Sequence, residues 1–450
     1  MCGPLRTALV SATLAWSQPV FAQAADAPLQ TVDGAGDSQT IQTKSPTAFV
    51  PPTFTGEWGG IRTRLRDGGV DLTANYGSET AWNPSGGTEH RIAETGQFVF
   101  GTTFDTQKLF GLAGGTFQAT VTYRRGSNLD AIAGIDVLQQ VQEVYGRGQT
   151  WRLTQFWYQQ VFANGHVDIK AGRLTQGEDF ASFSCVFMNL SFCGAPPGNL
   201  AGDYWYNWPV SQWGARARLR IDSYYVMLGA YEVNPNNLDN TFVLGHFHGA
   251  TGVMVPLEFG FTPSHGLSGL PGSYKVGGWY NTSKADDVYL DINDQPRAIT
   301  GLAPLRRTGR YGVYAQFQQQ LTGTSTDGPG GTPVVHGLTA FLNITQTDRR
   351  TTATDNQIAG GFFYTGLFPG RQADDFELGL ARTNVNARSI SPLLNTAARP
   401  DAEYAAEIAY GLHATGWLIL RPNVQYIVDP GGYSHVTNVV IIGLKGSIQF

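Results

Sequence analysis

Apolar and polar side chains alternate with a period of two over most of the chain after residue 70. Every second residue is apolar between Val70 and Tyr76, and the same pattern occurs in 116–124 and 165–175. Successive side chains of a β-strand point to opposite faces, so this period predicts strands with one apolar and one polar face. Alternation also occurs in half-buried sheets of water-soluble proteins, and the pattern alone does not choose between water and lipid.

Segments of this kind recur to the end of the chain, and they predict roughly sixteen strands. Ile61 and Leu65 share a helical face and predict one short N-terminal helix between Gly59 and Gly68. No second domain is predicted. The predicted strands are 70–76, 94–106, 116–124, 151–162, 165–175, 210–222, 223–233, 250–261, 273–281, 309–321, 335–347, 357–366, 374–384, 403–413, 416–428 and 437–450.

Composition favours lipid as the solvent of the apolar faces. Only 14% of the residues are charged, against about 25% in ordinary soluble domains. No segment beyond the N-terminus has the apolar length that a transmembrane helix needs. We therefore predict an all-β fold, a transmembrane antiparallel up-and-down β-barrel of about sixteen strands.

The N-terminus has the layout of a secretory signal peptide. Arg6 precedes a mostly apolar run, and Ala22-Gln23-Ala24 is a small-x-small cleavage site, so residues 1–24 are predicted to be removed. Residues 25–53 are polar and are predicted to form a disordered or loosely held extension. The barrel domain is predicted to occupy 54–450.

Three arginines alternate in the segment 215–221. On a strand, Arg216, Arg218 and Arg220 fall on one face, opposite Ala217, Leu219 and Ile221. An arginine facing lipid at mid-depth costs about 2–4 kcal/mol, so we expect these three to face the lumen as a basic ladder. Their donors would bind solute hydroxyls or carboxylates.

The long loop 177–209 supplies possible partners for this ladder. Glu178 and Asp179 begin the loop, and Arg173 lies at the end of the preceding strand. One interpretation is purely structural pairing between arginines and loop carboxylates. The other is a transverse field across a pore constriction, to which Arg173 contributes, and the two interpretations are compatible.

The same loop carries aromatic and cysteine residues. Trp205 and Trp208 could stack on sugar rings, although packing or an interfacial girdle accounts for such residues at least as well. Cys185 and Cys193 form an even pair in an exported chain, which favours a disulfide. A metal site needs more ligands than two thiols.

Several classes of function are not supported by the sequence. Hydrolase, P-loop, dinucleotide-binding and zinc-protease motifs are absent, so neither an enzyme nor a cofactor is predicted. His246 and His248 are interpreted as lumenal residues on one strand face and not as a metal site. A formal net charge of −5 argues against nucleic acid as a partner.

Five motifs together resemble the carbohydrate-selective outer-membrane porins of the OprB type. They span nearly the whole chain after residue 54. They are Thr55-Gly56-Glu57-Trp58-Gly59-Gly60-Ile61-Arg62, Asn189-Leu190-Ser191-Phe192-Cys193-Gly194, Trp208-Pro209-Val210-Ser211-Gln212-Trp213-Gly214-Ala215-Arg216, Tyr231-Glu232-Val233-Asn234-Pro235 and Arg421-Pro422-Asn423-Val424-Gln425-Tyr426-Ile427 with Pro430-Gly431-Gly432.

The resemblance implies a sixteen-stranded barrel whose loops narrow the pore. It implies facilitated diffusion of carbohydrates, monosaccharides such as glucose among them, across the outer membrane of a Gram-negative bacterium. It also implies that an outer-membrane assembly machinery recognises the terminal Phe450, and it leaves open a monomer or a homotrimer. Expected contacts are small polar solutes and outer-membrane lipid. A general or organic-acid-selective porin remains the alternative, followed by a structural or enzymatic barrel.

Overall fold

The computed structural model describes residues 52–450 except 240–241, 243–245, 247, 268, 328–332 and 394–398. The predicted signal peptide and nearly all of the predicted extension therefore lie outside the described residues. Among the residues described, no helix is long and apolar enough to cross a membrane.

One sheet contains all the strands of the described chain. Sixteen of them form the barrel wall, because the short β11 pairs only with β12 while β10 pairs directly with β12. The predicted strand number is confirmed. The strands are β1 Val70–Ser85, β2 Ile92–Asp105, β3 Gly115–Gly126, β4 Trp151–Phe162, β5 Val167–Leu174, β6 Gln212–Ile221, β7 Tyr224–Val233, β8 Gly252–Phe261, β9 Gly272–Asp291, β10 Pro304–Gln320, β11 Thr324–Asp327, β12 Pro333–Thr347, β13 Thr354–Thr365, β14 Asp375–Val385, β15 Ala402–His413, β16 Leu418–Val428 and β17 Val439–Gln449.

Antiparallel pairing of the first and last strands closes the barrel. Strand β1 pairs with β2 on one side and with β17 on the other, with Asn75 opposite Gln449. Each remaining wall strand pairs with its neighbours in the chain. Closure removes the sheet edges, whose unpaired N–H and C=O groups could not be satisfied in lipid.

The two faces of the wall differ as the alternation predicts. On β6, Leu219 and Ile221 point outward and are 42% and 59% exposed. Arg216 on the same strand points inward and is 3% exposed. On β5, Ile169 points outward and Lys170 inward. Apolar side chains thus face lipid and polar side chains face the lumen.

The connections are short at one end of the barrel and long at the other. The two-residue turn 222–223 joins β6 to β7 at the end where β1 begins and β17 finishes. The connections 127–150 and 175–211 leave from the opposite end. Short turns are periplasmic and long loops extracellular in bacterial outer-membrane barrels, which sets the orientation of this one.

The predicted N-terminal helix is present as α1 Ile61–Asp67 and lies beside β1. Its Arg62 is buried and donates hydrogen bonds to the carbonyl oxygens of Phe450 and Leu72, at 2.8 Å each. The other helices are single turns in connections: α2 Thr106–Phe110, α3 Leu129–Ala133, α4 Gln176–Asp179, α5 Pro196–Leu200 and α6 Arg297–Thr300.

Candidate functional site in the lumen

Two long connections fold back into the lumen and narrow it. We call residues 127–150 the first inner loop and residues 175–211 the second inner loop. Both contact inward-facing side chains of the wall. Backbone N–H groups of buried loop segments need acceptors, and the wall supplies them as carboxylates.

Four wall glutamates accept hydrogen bonds from loop backbone N–H groups. Each is at most 2% exposed. They anchor the first inner loop at two points and the second at two points. The pairs are Glu79 with Val144, Glu403 with Leu138 and Gln139, Glu258 with Ala181, and Glu407 with Met188 and Asn189.

Lys445 on β17 ties both inner loops to the wall. Its Nζ lies 3.1 Å from a carboxylate oxygen of Glu79 and 3.0 Å from one of Glu143 in the first inner loop. The same ammonium group donates to the carbonyl oxygens of Cys185 and Phe187 in the second inner loop, at 3.3 and 2.9 Å. In the sequence, the only signal for Lys445 is its place on the polar face of the last strand, which does not indicate this role.

Apolar packing holds the second inner loop between these polar anchors. Phe187 and Phe192 pack against Phe341 and Phe363 of the wall. A Cβ atom at Gly379 would come within 3.0 Å of the Phe192 ring, so glycine there admits the ring. The part of the loop that carries these two rings is therefore packed against the wall and is not a loose surface segment.

Trp205 and Trp208, the two candidates for stacking on sugar rings, lie in the second inner loop. Trp205 has no exposed surface and packs against Trp279 and Tyr314, with ring centroids 5.2 and 6.1 Å away. Trp208 is half-buried, and its Nε1 donates to Gln97 at 3.0 Å. Trp205 thus acts in packing in this arrangement, while Trp208 keeps some surface.

The sulfur atoms of Cys185 and Cys193 are bonded to each other, with Cα atoms 4.1 Å apart. The Glu143 carboxylate lies near both sulfurs. Sulfur atoms engaged in a disulfide are not thiolate ligands, so this group does not have the chemistry of a metal site.

The three arginines of β6 lie on one inward face. Nε of Arg216 is 3.2 Å from Asp179 in α4, and its guanidinium also contacts Asp168 on β5. Nε of Arg218 is 2.8 Å from the other oxygen of Asp168. Arg218 keeps 14% of its side chain exposed and Arg220 is half-buried. Carboxylates of the wall and of the second inner loop thus share this basic ladder.

Lys170 on β5 joins the ladder, which the alternation within β6 alone does not predict. Its Nζ lies 2.5 Å from Asp179 and over the ring of Trp157. Arg173, which was predicted to contribute to the transverse field, instead donates to the Ser211 hydroxyl and the Asn237 amide oxygen, at 3.0 Å each. Arg173 therefore holds the end of the second inner loop and is not part of the ladder.

A second arginine group lies where the two inner loops meet, and it was also missed. Arg124 on β3 lies 3.8 Å from Glu143. Arg147 donates to the carbonyl oxygens of Gly198 and Gly202, so it joins one inner loop to the other. Arg152 donates to the Asn237 carbonyl oxygen at 2.9 Å. These arginines are scattered in sequence, and no local spacing predicts their meeting.

The interpretation of His246 and His248 as residues on one strand face is wrong. Both precede β8, which begins at Gly252, and lie in the connection after β7. Their backbone carbonyl oxygens accept hydrogen bonds from the side chain of Asn234. Asn234 thus holds this connection through its backbone, and spacing by two residues does not by itself indicate a strand.

Glu178 in α4 is half-buried, and its carboxylate accepts a hydrogen bond from Gln155 at 2.9 Å. Burial raises the pKa of Glu178 to about 7, although nearby Lys170 lowers it in part. The group is neutral below that pH and gains a negative charge above it. We expect anion preference of the pore to fall as pH rises from 6 to 8, since one more negative charge then lies beside the ladder.

The measurement is the reversal potential of a planar bilayer under a potassium chloride gradient, recorded across this pH range. Glu178→Gln should reduce the change in reversal potential across this range. A variant that titrates like the wild type would show that another group carries the effect.

A closed barrel, an outward apolar face and inner loops that constrict a charged lumen together define a porin. A family model described as "Carbohydrate-selective porin, OprB family" matches residues 89–450. The chain belongs to this family, and it is an outer-membrane channel protein and not an enzyme.

The chain is similar to other porins over most of its length. It is 42% identical to Porin B of Pseudomonas aeruginosa over 425 residues, which cover 88% of this chain and 92% of that one. It is 31% identical to the putative porin QuiX of Acinetobacter baylyi, with the same coverage of both chains. The high-pH structure of Pseudomonas putida OprB superposes with a TM-score of 0.83 at 41% identity, covering 90% of this chain and all of that one.

Proposed function

We propose that this porin gives facilitated diffusion of monosaccharides such as glucose through a water-filled lumen lined by arginine and carboxylate groups. The observation that carries the proposal is the shared ladder, in which Arg216 and Arg218 contact Asp168 and Asp179 at the junction of wall and second inner loop. Guanidinium donors and carboxylate acceptors side by side match hydroxyl groups, which both donate and accept.

Passage requires exchange of hydrogen bonds and no covalent step. A sugar hydroxyl would accept from the exposed part of Arg218 and donate to Asp168, replacing water at each contact. Selective channels need sites that bind solute strongly enough to admit it and weakly enough to release it. Charges that are already paired meet that requirement because part of their binding capacity is used within the protein.

An organic-acid-selective or general porin is the second candidate. Arg218 and Arg220 both keep surface on the lumen side, and a guanidinium group binds a carboxylate in bidentate fashion. An anionic solute would therefore compete for the same ladder. A structural or enzymatic barrel has no such observation in its favour.

Three further proposals concern assembly. Outer-membrane lipid would cover the apolar outer face, and the assembly machinery would recognise the C-terminal strand with Phe450. The Cys185–Cys193 disulfide would fix the turn of the second inner loop in the oxidising periplasm. The assembled state would be a monomer or a homotrimer.

Block of ion current by solute tests the transport proposal. The mature protein is reconstituted in a planar bilayer, and glucose and then gluconate are added during recording. We expect steady conductance that falls saturably with glucose, because a sugar bound in the constriction obstructs ions. Block by gluconate alone would favour the organic-acid porin, and a folded barrel without conductance would contradict the channel.

A further inference from the structure

Another sector of the lumen wall carries a strip of neutral polar side chains. We call Gln316 of β10, Asn343 and Thr345 of β12 and Gln357 of β13 the neutral strip. Gln316 lies opposite Asn343 in the β-ladder, and Thr345 lies opposite Gln357. All four side chains face inward, and each is at most 4% exposed.

Much of the hydrogen-bonding capacity of the neutral strip is unused. Asn343 has no partner for its amide nitrogen or its amide oxygen, and neither has the Thr345 hydroxyl. The amide oxygens of Gln316 and Gln357 are also unpaired. A buried unpaired polar group costs about 1–3 kcal/mol, so a solute that supplied hydrogen-bond partners to these five atoms would be favoured there.

The remaining groups of the strip are fixed, which gives the site a defined shape. The Gln316 amide nitrogen donates to the Ala181 carbonyl oxygen of the second inner loop at 3.0 Å. The Gln357 amide nitrogen donates to the Thr383 hydroxyl at 2.9 Å. These hydrogen bonds orient both glutamine side chains, and their unpaired amide oxygens remain as acceptors. Ala359 lies opposite Asn343 in the β-ladder, and its side chain is small.

Helix α5 of the second inner loop lies against β12 and β13 and covers this sector. It is built from Pro-Pro-Gly-Asn-Leu, and the side-chain nitrogen of its one polar side chain, Asn199, is used on the carbonyl oxygens of Leu190 and Cys193. The two prolines also lack an N–H donor. A helix of this composition covers the strip without supplying hydrogen-bond partners to its unpaired atoms.

We propose that the neutral strip is a binding subsite for the hydroxyl groups of an uncharged monosaccharide, and that α5 covers it when no sugar is bound. The inference rests on the proposed sugar transport and deepens it. An amide presents one donor face and one acceptor face, and a hydroxyl does both, so the strip is complementary to adjacent sugar hydroxyls. It carries no charge, so it would discriminate neutral sugars from the anions that the β6 ladder also attracts.

The test compares matched variants by glucose block of single-channel current. Asn343→Leu removes both unpaired amide atoms at similar volume, and Thr345→Val removes the hydroxyl alone. Asn75→Leu is the control, because Asn75 on β1 is equally buried and its amide is equally unpaired, but β1 is far from α5 in the sheet order. Open-channel conductance and heat-modifiable migration on gels verify that each variant is folded.

We expect Asn343→Leu and Thr345→Val each to raise the half-blocking glucose concentration, by at least tenfold for the asparagine, with gluconate block within twofold of wild type. Asn75→Leu should leave both within twofold. If Asn343→Leu does not fold, Thr345→Val decides alone.

Two results would overturn the subsite while sugar transport stands: unchanged glucose block in both strip variants, or an equal loss in the Asn75 control. Failure of the transport proposal is distinct, since the wild-type channel itself would then show no glucose block, and the subsite would fall with it.

Discussion

Replacing Lys445 with methionine is expected to destabilise the folded barrel by about 3–5 kcal/mol and to widen its pore. The substitution leaves Glu79 and Glu143 as buried carboxylates without their shared cation. It also removes the donor to the carbonyl oxygens of Cys185 and Phe187. Both inner loops lose one anchor at once, so conductance should rise while selectivity for small sugars falls.

The measurements are the temperature at which the folded gel band converts to the unfolded one, and single-channel conductance. Lys284→Met serves as the control, because Lys284 is an exposed lysine of β9. The control should match the wild type in both measurements. A Lys445 variant with wild-type conductance would show that the glutamate anchors hold the loops without this lysine.

Changing Arg218 to glutamate is expected to lower the chloride-to-potassium permeability ratio roughly fivefold. Two unit charges at 4 Å interact by about 1 kcal/mol even in water, and that energy corresponds to a roughly fivefold change in an equilibrium constant. The new carboxylate would lie beside Asp168, which now receives Nε of Arg218 at 2.8 Å. Repulsion between the two would also release Arg216 from part of its pairing. Glucose block should weaken together with the anion preference.

Reversal potentials under a salt gradient measure this ratio. Arg306→Glu makes the same charge change at a side chain that is 59% exposed and paired with Asp286 near the extracellular end of β10. Its permeability ratio should stay close to that of the wild type. If both variants shift the ratio equally, the effect belongs to the general surface potential and not to the ladder.

The alternation of side chains determined the architecture because it is a local property. Which side of a strand meets lipid follows from the period of two, whatever the neighbours are. The sixteen wall strands, the helix around Ile61 and the common inward face of Arg216, Arg218 and Arg220 could therefore be read from the chain alone. The five family motifs then named the class, which the family model and relatives confirmed.

The contents of the lumen depended on contacts between segments far apart in sequence. Lys445 and Glu143 are 302 residues apart and meet only because β1 and β17 close the barrel. The ladder shows the same division, since alternation placed Arg216 inward but only the folded loop brought Asp179 to it.

Trp205 marks the limit of reading chemistry from composition. An aromatic residue in a loop is equally suited to stacking on a sugar or to packing, and only its enclosure by Trp279 and Tyr314 decided for packing. The sequence by itself determined a lipid-facing barrel with a basic inner face, because both depend on the period along one strand. The tertiary structure alone decided how the inner loops narrow the lumen, because loop anchoring depends on which inward side chains barrel closure brings within hydrogen-bonding distance.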